Sequence, residues 1–159
     1  MATEALTPVK TGAEKDLFIL QQGIPEDAPG GGATLLSFGI LSPNEKPINP
    51  GDVTYTLTAP TGFQWNGWIT WAYHDLKTLA AKGNLQKIEG KVTNNGRTLT
   101  FTHNPHLFTN NDDQGILGFA AQINAVDGAA PNRYTDGELR VGAAAPVKLK
   151  GRVLGSDDD

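Results

Sequence analysis

Residues Gly62 to Tyr73 hold all three tryptophans of the chain, Trp65, Trp68 and Trp71, around an Asn66-Gly67 pair. Asn-Gly accepts positive φ at both central positions of a type I′ turn, and between alternating apolar residues it is a strong short-range hairpin signal. The spacing therefore predicts a two-residue hairpin with Trp65 facing Trp68 across the ladder. Such an aromatic pair contributes about 0.5–1 kcal/mol beyond plain burial. On that register Phe63, Trp65, Trp68 and Thr70 share one face, and Trp71 and Tyr73 lie on the other.

The rest of the chain reads as further strands. Val53-Thr54-Tyr55-Thr56-Leu57-Thr58 is the cleanest alternation, three apolar residues inward and three threonines outward, the pattern of a half-buried antiparallel strand. Asp16 to Gln21 is a short apolar run that fits a strand buried on both faces. Ala33–Leu41, Ile116–Asn124, Arg133–Val141 and Pro146–Leu154 are also strand-like. Leu85–Thr93 and Arg97–Thr102 flank Asn94-Asn95-Gly96, a second hairpin. Pro25–Gly32, Ser42–Gly51 and His103–Gly115 read as loops. The one helical stretch is predicted near residues 75–82, with Asp75 as cap, Leu76, Leu79 and Ala80 on one face, and Gly83 after the last turn. The expectation is an all-β fold of seven to nine strands. Two half-apolar sheets must bury their faces against each other, so an antiparallel β-sandwich is the economical solution.

A length of 159 residues suits one domain. Residues 1–15 read as a flexible lead-in, 16–154 as the sandwich, and 155–159 as a linker with a truncated acidic tag. There is no cysteine, which removes disulfides, thiolate metal sites and cysteine nucleophiles. Net charge is −4, with no basic cluster outside one strand, so a nucleic-acid surface is excluded. No apolar run is long enough to span a membrane. Met1 to Ala5 lacks the basic and apolar regions of a signal peptide.

Gly51-Asp52-Val53-Thr54-Tyr55-Thr56-Leu57, then Ala59-Pro60-Thr61-Gly62-Phe63, Asn95-Gly96-Arg97-Thr98-Leu99-Thr100-Phe101 and Ala129-Ala130-Pro131-Asn132-Arg133-Tyr134-Thr135-Asp136-Gly137 follow one another in a familiar order. From Gly51 to Leu154 the chain resembles the conserved-repeat, immunoglobulin-like domains of bacterial surface and secreted proteins. The resemblance implies an immunoglobulin-like sandwich and an extracellular or cell-surface structural or adhesive module. It carries over no catalytic residue, and the tryptophan hairpin and the helix after it read as additions to the bare repeat.

The residues name no reaction. The serines are Ser37, Ser42 and Ser156, none in a Gly-x-Ser-x-Gly elbow. Among the histidines, His103 and His106 have a helical spacing, but Pro105 opposes a helix; loop histidines are favoured over zinc ligands, which would need further donors. Asn110 to Gly115, with Asp112 and Asp113, is oxygen-rich yet lacks the alternating ligands and distal glutamate of an EF-hand, so a solvated turn is favoured over calcium binding. The adjacent carboxylates Glu26/Asp27 and Asp112/Asp113 read as solvated loops, not a sugar-cleaving pair. Lys148, Lys150 and Arg152 form a stripe read as the outward face of an edge strand, with a surface for an acidic partner as the alternative.

The candidate binding residues are Trp65, Asn66, Trp68, Trp71 and Tyr73. One aromatic set is expected to fill the core and the other to stay partly exposed, as a sugar-stacking platform or a protein contact. No metal or cofactor is implied. The expectation is a non-catalytic surface, adhesion or assembly module with a protein or glycan partner or a second copy of itself. A carbohydrate-binding module or lectin using the Trp65/Trp68 face is the alternative, and a secreted toxin or effector binding domain a third reading.

Overall fold

The computed structural model describes residues 13–42, 48–75, 78, 80–107 and 115–155. After a 3-10 turn at Ala13–Asp16 come β1 (Phe18–Gln22), β2 (Glu26–Asp27), β3 (Thr34–Leu41), β4 (Val53–Thr58), β5 (Phe63–Asp75) and β6 (Ala81–Glu89). Then follow β7 (Lys91–Thr93), β8 (Thr98–His103), β9 (Gly115–Ala125), β10 (Asn132–Val141) and β11 (Val147–Val153). They form a five-stranded sheet, ordered β1-β3-β9-β5-β6, and a six-stranded sheet, ordered β2-β11-β10-β4-β8-β7. All pairings are antiparallel except that of β2 with β11. The fold is a two-sheet β-sandwich, as the alternation implies, and immunoglobulin-like, as the resemblance implies.

Each sheet turns one face inward. Leu36, Phe38 and Ile40 of β3, Leu117, Phe119, Ala121 and Ile123 of β9, and Tyr55 and Leu57 of β4 are buried at the seam. At its centre Phe38 stacks on Phe119 (4.9 Å between ring centroids) and Tyr55 on Phe101 (4.6 Å). On the outer face of the six-stranded sheet three threonine pairs, Thr54/Thr102, Thr56/Thr100 and Thr58/Thr98, lie directly opposite each other. Hydroxyl pairs of this kind stabilise a solvated face.

Four local expectations are corrected. Asn66-Gly67 does not turn the chain: Phe63–Asp75 is one long strand, and Asn66, Gly67 and Trp68 bulge out opposite Gln122 alone, between the pairs Trp65↔Ile123 and Ile69↔Ala121. Gly67 takes φ +94, so the positive φ that the dipeptide allows is used for a bulge. Among the described residues of 75–82 there is no helix. The ladder runs to Asp75 and resumes at Ala81, and the Asp75 N–H donates to the Ala80 carbonyl (2.9 Å); Leu76, Lys77 and Leu79 lie outside the described residues. The segment 85–93 is two strands in different sheets, split at Gly90, where a Cβ would come 2.6 Å from Leu99 Cδ1. Phe18–Gln22 is an edge strand, with Phe18 52% exposed, and is not buried on both faces. The Asn94-Asn95-Gly96 hairpin does form, with φ of 58° and 56° at the asparagines.

Candidate functional site

Read as one strand, β5 sorts its side chains by simple alternation. Phe63, Trp65, Ile69, Trp71 and Tyr73 point between the sheets; Asn66, Trp68, Thr70 and His74 point to the outer face of the five-stranded sheet. The two tryptophans expected to face each other are therefore on opposite sides. Trp65 is 3% exposed, and its indole N–H donates to the Arg97 carbonyl (3.1 Å), tying β5 to the other sheet. Its backbone N–H also donates across, to Gly96 O (2.8 Å).

Trp71 and Tyr73 are half-buried and meet edge to face, 5.6 Å between centroids. Trp71 also packs on the His103 ring at 4.5 Å, and the Tyr73 hydroxyl donates to the His106 carbonyl (2.6 Å). Burial pushes the Tyr55 and Tyr73 phenols up and the His103 imidazole down, the Asp52 carboxylate opposing the last shift in part. His103 and His106 thus serve packing and a backbone acceptor. The Asp112/Asp113 loop lies outside the described residues. Among the described residues no three His, Asp or Glu side chains gather as a metal would require.

On the outer face a groove of about 170 Å³ opens beside Trp68. Its walls are Trp68, Leu35 and Leu85, the last two 46% and 60% exposed. The floor is a row of small side chains across three strands, Ser37–Ala120–Thr70, joined by Gly118. Gly118 makes room for the His74 ring: a Cβ there would come 2.8 Å from it and the ring would have to shift. Gln22 stands at the rim.

Two of the three walls, Trp68 and Leu85, come from bulges. Trp68 ends the bulge of β5, held by the Asn66 side chain: Oδ1 accepts the Trp68 N–H (2.9 Å) while Nδ2 donates to Gln122 Oε1. On β6, residues Gly83, Asn84 and Leu85 bulge opposite Ala72 alone, between Trp71↔Gln86 and Tyr73↔Lys82. Bulges re-aim side chains and recur beside functional sites. Sequence reasoning found Trp68 and Asn66 and missed Leu35, Leu85 and the small-residue floor. The signal for Leu35 was present: in the alternation of Thr34–Leu41 it is, with Leu41, a large apolar residue on the side that also carries Ser37 and Gly39.

No family model and no curated protein matches the chain. Solved structures do. The collagen-binding domain from a Staphylococcus aureus adhesin aligns over 86% of this chain and 97% of its own, with TM-score 0.47 and 9% identity. The collagen-binding subdomain of the Enterococcus faecalis surface protein ACE aligns over 88% and 97%, with TM-score 0.41 and 11% identity. AvmM, which catalyses macrocyclization in alchivemycin A biosynthesis, aligns over 91% and 92%, with TM-score 0.44 and 6% identity. Two of these are binding domains of bacterial surface proteins, and the third is an enzyme.

Proposed function

We propose that the chain is a non-catalytic binding or adhesion module, acting outside the cell or at its surface, that holds a protein partner on the outer face of the five-stranded sheet. The observation that carries this reading is the groove walled by Trp68, Leu35 and Leu85, three apolar side chains on a face where alternation puts polar ones. A partly exposed aromatic anchor ringed by polar groups is the usual centre of a protein contact. The floor is flat and small enough for a partner's apolar side chain to reach the sheet.

A second reading is a sugar ring stacked on Trp68. It is favoured by the hydroxyl and amide groups of Ser37, Thr70 and Gln22 within the same groove.

The test is binding to a panel of immobilised extracellular proteins, collagen among them, and to a glycan array, with Trp68→Ala and Leu85→Ser beside the unmodified chain. A protein hit lost in both variants, each still folded and unfolding cooperatively, supports the first reading. A sugar hit lost only with Trp68 supports the second. Binding that survives both substitutions rejects the groove.

A further inference from the structure

The opposite face of the sandwich carries a feature that β-sheets avoid. Arg133 of β10 lies directly opposite Arg152 of β11. The backbone groups of Arg152 point away from β10, since its N–H donates to the Pro25 carbonyl (2.9 Å). The two arginines therefore form the non-hydrogen-bonded kind of pair, with Cα atoms about 4.5 Å apart and side chains at their closest. Like charges so placed are destabilising.

Two more cations extend the pair. Lys150 and Lys148 follow at two-residue steps along β11, each about 6.7 Å from the last, and both are exposed. Carboxylates lie near these cations too, and each is already engaged: Asp136, in the β10 bulge opposite Lys150, pairs with Arg97 at 3.5 Å. Glu26 of β2 meets Arg152 at 3.3 Å, while Glu138, opposite Lys148, holds Arg140 at 2.8 Å. Among the described residues Arg133, Lys148 and Lys150 form no ion pair. A chain of net charge −4 thus concentrates cations along one strand pair.

We infer that Arg133, Arg152, Lys150 and Lys148 form a docking surface for an extended acidic polypeptide segment of a partner. Arginine side chains set side by side suit planar carboxylates. In an extended peptide, carboxylates at alternate positions recur at the same two-residue step as the cations of β11, so each cation meets one without either chain stretching. The molecule supplies its own precedent. Glu26, in a short extended segment running parallel to β11, already places a carboxylate on Arg152. This surface is separate from the Trp68 groove and does not depend on it.

The probe is a fluorescently labelled synthetic peptide alternating glutamate and threonine, titrated by anisotropy at low salt and at about 1 M, where the Debye length is about 3 Å. The expected result is saturable binding at low salt that is abolished at high salt and weakened about tenfold in the double variant Arg133→Gln, Lys150→Gln. A peptide of the same composition with its glutamates in one block should bind more weakly. The urea midpoint of the double variant should equal or exceed that of the parent, because a like-charge pair is gone. Absent binding, binding equal in the double variant, equal binding of the block peptide, or a preference for a sulfated polysaccharide over the alternating peptide would each overturn the inference.

Discussion

Gln21 lies in one sheet and Lys150 in the other, yet they are joined as neighbours in a ladder are: Gln21 Oε1 accepts the Lys150 N–H and Gln21 Nε2 donates to the Lys150 carbonyl, both at 2.8 Å. The primary amide mimics a peptide group. Two positions further along β11, Pro25 and Asp27 of the β2 segment accept from Arg152 and Leu154. The outward edge of β11 is therefore closed by two devices, a side-chain amide and the carbonyls of the β2 segment, where a bare edge would invite another chain. The stripe of Lys148, Lys150 and Arg152 accordingly sits beside an edge that is already filled.

Gln21→Ala should reopen that edge. The expected loss is about 1–2 kcal/mol for two solvent-accessible hydrogen bonds, read as a lower urea midpoint. Amide exchange at Lys150 should accelerate selectively, and association should become concentration-dependent. Unchanged exchange at Lys150 would show that the edge is closed by something else.

The two tryptophans flanking the β5 bulge should behave oppositely. Trp65→Ala empties a core site and removes the donor to Arg97, a loss of about 3–5 kcal/mol. Trp68→Ala trims a half-buried wall and should cost about 1–2 kcal/mol. Chemical denaturation of the two variants, side by side, distinguishes a core residue from a surface one. Equal losses would place Trp68 in the core and weaken the case for the groove.

Much of the architecture was legible because it is local. The alternation of Val53–Thr58 and the Asn94-Asn95-Gly96 turn each depend on a few adjacent residues, and both appear where they were read. Asn66-Gly67 carried an equally strong local signal but folds as a bulge, because its fate is settled by β9: Gly115–Ala125 runs alongside the whole of Phe63–Asp75, from Ala125 opposite Phe63 to Gly115 opposite Asp75. Nothing within the tryptophan segment encodes that partner. Asp75 is a similar case. Its Oδ1 does accept from the Thr78 N–H (2.9 Å), the bond a helix cap would make, yet the chain turns back into β6. Capping chemistry and tight-turn chemistry share this bond. The groove was only partly readable because Leu35, Trp68 and Leu85 are adjacent solely through the strand order β3-β9-β5-β6.

Tyr55 is fully buried, and among the described residues its hydroxyl has no hydrogen-bond partner. A buried polar group left unsatisfied costs about 1–3 kcal/mol. Tyr55→Phe keeps the ring that stacks on Phe101 and removes the orphaned oxygen, so it should raise the unfolding midpoint, by up to about 1 kcal/mol in stability. A drop of similar size would instead reveal a partner for the hydroxyl, such as an ordered water.

His103 should make stability depend on pH. Burial among Trp71, Phe119 and Tyr55 disfavours its charged form, and the Asp52 carboxylate only partly offsets that, so its folded pKa lies below the ordinary value of 6.5. Between those two values the unfolded chain binds more protons than the folded one. The contribution is therefore complete above pH 6.5 and is lost as pH falls through the folded pKa. The urea midpoint of the parent should accordingly fall between about pH 7.5 and about pH 5, and the fall should be smaller in His103→Phe, which fills the same aromatic site without titrating. Equal slopes in parent and variant would assign the pH dependence to other groups.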